Sequence, residues 1–222
     1  MVNMKTFKII NILILIIMIF LNLFLIGKNI INSDFTELLD NLILYLLLFI
    51  PFLTKKIIKI NLNELFKFLY YIFVILLVLF GDVINLIRDT LWFDKITHFY
   101  FGFLMSLVAV LFLKYNKKSL NNKLIFDMLF ISGFTLLLAN CWEFIEYTVD
   151  KLFSANNQRW IQTGVDDTMI DLLITFLGSI IINISYYIEV KKNKVGLVFN
   201  SIMDDKNIQS NKEVNKNNQH LC

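Results

Sequence analysis

The sequence predicts an all-α protein, a polytopic membrane helical bundle of about six transmembrane helices. Three observations lead there. Of 222 residues, 57% are hydrophobic and 18% charged, against about 45–50% and about 25% in an average soluble chain. The apolar residues gather in blocks of about 18–25, each long enough to cross a hydrocarbon layer of ~30 Å at 1.5 Å per residue. One proline and seven glycines leave the blocks almost unpunctuated.

The first block, Phe7–Ile26, is followed by Gly27-Lys28-Asn29-Ile30. No small-residue cleavage site follows it, so it reads as an uncleaved span. Glu37–Leu53 is short and contains Pro51, and Leu65–Ile84 forms the third span. The fourth is Lys95–Lys114, the fifth Leu124–Thr148 and the sixth Thr168–Ile188. Residues 1–190 thus form one transmembrane domain. Residues 191–222 are rich in Asn, Lys, Gln and Ser and poor in apolar groups, the composition of a disordered tail.

Lysines set the expected orientation, because cytoplasmic loops carry the positive excess. Lys5 and Lys8 precede the first span. Lys55, Lys56 and Lys59 lie between the second and third, Lys117, Lys118 and Lys123 between the fourth and fifth, and Lys191, Lys192 and Lys194 after the sixth. The intervening loops hold fewer: Lys28, then Arg88 and Lys95, then Lys151 and Arg159. Both termini are therefore expected in the cytoplasm, with Gly27–Thr36, Asp82–Asp94 and Asp150–Asp167 outside. The Ile, Asn, Lys and Phe content suits an AT-rich bacterial genome, which places the chain in a bacterial cytoplasmic membrane. A net charge of +3 reads as topology and gives no reason to expect nucleic acid. Cys141 lies within an apolar block and Cys222 ends the tail, so no disulfide is expected between them.

Three segments should meet at the outer face: Trp92 to Phe99 entering the fourth span, Asn140 to Tyr147 leaving the fifth, and Gly164 to Asp171 entering the sixth. Helical spacing puts Asp94, His98, Gly102 and Ser106 on one face, and Asp167, Asp171, Thr175 and Gly178 on another. Asn140, Glu143 and Tyr147 share a third, with Glu146 beside them. Polar and small residues in lipid-embedded helices turn toward other helices. Bland readings exist for several of these. Asp94 and Asp167 suit helix N-caps, His98 alone suits packing, and Asp171 profits from a helix N-terminus. Glu143 and Glu146 are harder to dismiss. They sit near the negative end of a helix dipole and repel each other, so they need a cation, a basic partner such as His98 or Arg159, or a proton.

Carboxylates around one imidazole suit a hard or borderline divalent cation, or acid–base chemistry. The candidate metal ligands are Asp94, His98, Glu143, Glu146, Asp167 and Asp171; the candidate catalytic carboxylates are Glu143, Glu146 and Asp171. There is no His-Glu-x-x-His, Walker loop, Gly-rich nucleotide fingerprint or serine-hydrolase elbow. Trp92, Trp142 and Trp160 read as an interfacial belt, Asp82 as a further acid at the same face, and Asp127 as a helix-start charge at the inner one. Polarity along the fourth and sixth spans fades past Ser106 and Thr175, and Asn183 and Ser185 draw no path through the bilayer.

The pattern resembles a bacterial inner-membrane family named after YjdF. The likeness lies in Asp94 with His98-Phe99, Glu143 with Glu146-Tyr147, and Asp167 with Asp171 and Gly178, across Asp82–Ser185. It implies membrane residence and supplies no activity. A fainter likeness is to VanZ-type proteins, associated with glycopeptide-antibiotic resistance, through Asp94-Lys95 and His98. The chain departs from those in having Glu146 where they have Gln and Thr175 where they have Asn. The expected partners are membrane lipids and a lipid or lipid-linked envelope substrate. A non-enzymatic binding or accessory role and a transporter remain as alternatives.

Overall fold

A computed structural model describes residues 4–33, 35–58, 61–77, 90–116, 124–153 and 165–192, with Gly196 and Val198. Every regular element among them is helical: α1 (Met4–Asn32), α2 (Phe35–Leu48), α3 (Ile50–Leu53), α4 (Glu64–Ile75), α5 (Leu91–Asn116), α6 (Leu124–Phe153) and α7 (Val165–Lys192). Four contain stretches long and apolar enough to cross a membrane: Met4–Asn32, Trp92–Lys114, Leu124–Thr148 and Val165–Lys192. The remaining two expected spans correspond to shorter helices. The second is interrupted at Phe49, where Pro51 opens α3 and a π-helical turn, Thr54–Ile58, follows. Proline cannot donate the helical hydrogen bond, so the ladder resets there. The third appears as α4, and its expected end, together with Asp82 and Arg88, lies outside the described residues. So do Arg159, Trp160 and most of the tail.

The helices form two compact units, α1–α4 and α5–α7. In the first, α1 packs on α2 and α4. Its buried positions, Asn11, Met18, Asn22 and Asn29, are mostly polar, while Phe20 and Phe24 point outward. That inversion suits lipid, where the apolar solvent lies outside and polar groups turn toward neighbouring helices. Asn11 Nδ2 donates to the Glu64 carbonyl at 2.9 Å and to its carboxylate at 3.0 Å. Asn63 caps α4, accepting from the Leu65 N–H at 2.7 Å. The Tyr70 hydroxyl donates to the Leu47 carbonyl at 2.6 Å.

In the second unit α5, α6 and α7 all touch one another. Leu104, Leu107, Ile131, Ala139 and Ile182 fill the apolar part of its core. Phe112, Phe130 and Phe134 stack along α5 and α6. At their closest approach α5 and α7 meet backbone to backbone. A Cβ on Gly102 would fall on the Thr175 carbonyl, and one on Gly178 on the Phe99 carbonyl. Small residues permit this approach, and the Thr175 hydroxyl spans it, donating to the His98 carbonyl at 3.2 Å. Two glycines on opposite helices fix the register of α5 against α7. That register sets which polar side chains meet further along.

Candidate functional site

About one to three turns N-terminal of Gly102 and Gly178, the first turns of α5 and α7 meet the C-terminal half of α6. The six residues singled out by spacing arrive from these three helices. Asp94, His98, Glu143, Asp167 and Asp171 are buried, and Glu146 is half-buried. Asp94 and Asp167 lie inside the first turns of α5 and α7. They are therefore helix-start charges within the helix and not its capping residues. Tyr147 does not join them: it is 51% exposed, with the Lys151 ammonium 5.5 Å from its ring centre. Asn140 donates to the Leu136 carbonyl of its own helix at 2.8 Å. The shared face read on the fifth span is therefore narrower than expected and consists of Glu143 and Glu146.

Lys95 is the residue that spacing missed. Its ammonium lies 2.6 Å from Asp167 Oδ1, 2.6 Å from Asp171 Oδ1 and 3.3 Å from Asp94 Oδ2. These are short, charge-assisted contacts made by a side chain only 19% exposed. In sequence Lys95 reads as a loop charge. The available signal was three aspartates at helix starts with no other cation on the same helices near that face.

The His98 ring lies between carboxylates. Its Nε2 is 3.7 Å from Asp94 Oδ1 and 3.9 Å from Asp171 Oδ2, and its Nδ1 is 3.9 Å from Glu143 Oε1. These separations are too long for hydrogen bonds. Two groups of potential ligand atoms, Asp94–His98–Asp171 and His98–Glu143–Glu146, each gather within 4.8 Å of one another. The first shares its aspartates with Lys95. In the second, the Trp142 indole N–H donates to Glu146 Oε1 at 2.6 Å. Trp142, expected as a belt residue, thus also orients one carboxylate of the cluster.

The charge count defines what the arrangement can do. Among the described residues, five carboxylates face one lysine and one imidazole at one end of α5–α7. Such a set holds cations or protons, since charges of one sign do not stay buried uncompensated.

Comparison with known proteins agrees with the membrane assignment. A protein of Thermotoga maritima described as uncharacterized is 30% identical over 157 residues, covering 68% of this chain and 76% of that protein. No solved structure matches. The profile of the family described as Predicted membrane protein (DUF2238) matches residues 10–192, which takes in most of α1, all of α2–α7 and every residue of the cluster. The chain belongs to the DUF2238 family of predicted membrane proteins.

Proposed function

We propose that the α5–α7 cluster is a divalent-cation site at the extracytoplasmic face of a bacterial cytoplasmic membrane. His98, Glu143 and Glu146 would hold the ion, and Asp94 and Asp171 would flank the other imidazole nitrogen. The observation that carries this is the placement of His98. Its nitrogens stand 3.7–3.9 Å from three carboxylate oxygens, beyond hydrogen bonding and just short of twice the ~2.0–2.2 Å of a metal–ligand bond. A mixed nitrogen and oxygen set suits zinc, manganese or iron(II). A carboxylate on the second nitrogen is the usual way of fixing a ligating imidazole.

A site at the end of membrane-embedded helices is reached from the lipid boundary. A lipid or lipid-linked envelope substrate therefore fits it best, with Glu143, Glu146 or Asp171 as the base. The likeness to YjdF and the fainter one to VanZ-type proteins agree with an envelope setting. A second reading is favoured by Lys95, which already neutralises part of Asp94, Asp167 and Asp171. In that reading the cluster locks three helices together and the chain is a non-enzymatic binding or accessory protein.

Metal content and zinc or manganese titration of detergent-purified protein, beside Glu143→Gln, separate the two. One bound ion per chain, lost in the folded variant, supports the cation site. A folded wild type that takes up neither metal after chelation and reloading removes it and leaves the lock.

A further inference from the structure

The polar joints between α7 and its neighbours are of two kinds. Near the N-terminus of α6 they are single hydrogen bonds. Asn183 Nδ2 donates to Ser132 Oγ at 2.8 Å, and the Tyr186 hydroxyl to Asp127 Oδ2 at 2.8 Å. Such pairs hold helices together in lipid. At the other end of α7 the joint is ionic, and it uses more charge than holding requires. One carboxylate balances one lysine, yet Asp94, Asp167 and Asp171 all meet the Lys95 ammonium. Two negative charges are left over in a place where like charges are costly to bury. A divalent ion in the same position would leave one.

The oxygens also stand around the ammonium as ligands stand around an ion. Two of them, Asp167 Oδ1 and Asp171 Oδ1, are 2.6 Å from Nζ. Calcium takes carboxylate oxygens at about 2.3–2.6 Å, so these two already suit it. Asp94 Oδ2, at 3.3 Å, is the one that would close in. Asp94 and Asp171 each divide their oxygens between two neighbours. Their second oxygens, Asp94 Oδ1 and Asp171 Oδ2, lie 3.7 and 3.9 Å from His98 Nε2. That side chain is 7% exposed, and these oxygens stand beyond hydrogen bonding to it. Asp94, His98 and Asp171 thus bring ligand atoms within 4.8 Å of one another, beside a position that already holds a cation.

We propose that Asp94, Asp167 and Asp171 form a second cage for a hard divalent cation, and that Lys95 fills it from within the chain. The ammonium stands where the ion would stand. It brings a smaller charge, but its stem ties it to α5, so it cannot be lost to the solvent. The joint between α5 and α7 is then independent of the ions available, and the cage is closed to calcium and manganese. The inference goes beyond the His98–Glu143–Glu146 site and stands whether or not that site holds an ion. The two ligand groups share only His98, which turns Nδ1 toward Glu143 and Nε2 toward the cage.

The test counts ions. Full-length wild type, Lys95→Met and Lys95→Arg are purified in detergent, stripped with chelator, dialysed against calcium or manganese and analysed for bound metal. Lys95→Met is expected to bind one more ion per chain than wild type. Calcium about a hundredfold above its dissociation constant should raise the melting temperature of that variant by roughly 5–10 °C. Lys95→Arg keeps the charge and should bind no more than wild type. Adding Asp167→Asn to Lys95→Met should remove the extra ion, because Asp167 belongs to the cage alone. A folded Lys95→Met with the wild-type ion count overturns the proposal, as does an extra ion that survives Asp167→Asn. If Lys95→Met does not fold, Lys95→Gln, which keeps a donor without the charge, is judged by the same count. The count also keeps the two proposals apart. No ion in wild type and one in Lys95→Met supports the cage and removes the His98–Glu143–Glu146 site. One ion in both removes the cage and leaves that site.

Discussion

Lys95 sits among three aspartates and one imidazole, and its removal exposes how the cluster is balanced. Lys95→Met keeps the aliphatic stem and deletes the charge, leaving Asp167 and Asp171 buried beside Asp94. Stripping one partner from buried ion pairs costs about 3–5 kcal/mol, so the variant should unfold well below wild type on heating in detergent. Asp171→Asn added to Lys95→Met should recover part of that loss, because one uncompensated charge goes with it. Equal melting of wild type and Lys95→Met would mean that the lysine is not the counter-charge. The other members of the cluster were readable from sequence because helical spacing and loop charges put them on facing stripes at one face. Lys95 was hidden by its second meaning, as a topology charge. Asp127, read as a helix-start charge, is buried, and it was hidden because its partner, the Tyr186 hydroxyl that donates to it at 2.8 Å, lies far along the chain on another helix.

Among the helices, the α5–α7 contact makes the sharpest demand on sequence. Gly102 and Gly178 each have opposing backbone where a side chain would begin, whereas Gly133 on α6 has open space. Gly102→Ala should separate the helices and cost on the order of 1–3 kcal/mol as overpacking. It should also weaken whatever the cluster binds, since His98 and Asp171 meet through that register. Gly133→Ala should be neutral or gain up to about 1 kcal/mol from helix propensity. Thermal unfolding of the two variants side by side checks this, and equal effects would show that close approach is not what selects glycine. Spacing identified both glycines as part of polar stripes but could not tell backbone contact from a mere small residue. The broken second span was signalled by Pro51. Its shortness was also legible, but the point where α2 ends was not, because Glu37–Leu53 is apolar throughout its later part and hydropathy does not register where hydrogen bonding resets.

Across the chain as a whole, composition and apolar blocks carried the membrane assignment, and four of the helices have the length it requires. Sidedness rests on the lysines and is directly measurable. In a background of Cys141→Ala and Cys222→Ser, Val165→Cys lies at the cluster end of α7 and Lys192→Cys at the other end, both at exposed positions. An impermeant maleimide should label Val165→Cys in intact cells and Lys192→Cys only after permeabilisation. The opposite pattern would turn the cluster toward the cytoplasm.

Polarity on the buried face of α7 does not fade past Thr175 but runs on from Asp167 and Asp171 through Ser179 and Asn183 to Glu189, and this bears on how the protein is made. Each aspartate carried to the centre of a lone helix disfavours its insertion by roughly 2.5–3.5 kcal/mol, and less near the ends. Of the long helices, α7 has the most polar groups to hide, and it leaves the ribosome last. By then Lys95, Ser132 and Asp127 already stand on α5 and α6, ready to receive Asp171, Asn183 and Tyr186. Its entry into the bilayer is therefore an act of assembly, in which the newest helix partitions onto two earlier ones before it ever meets lipid alone.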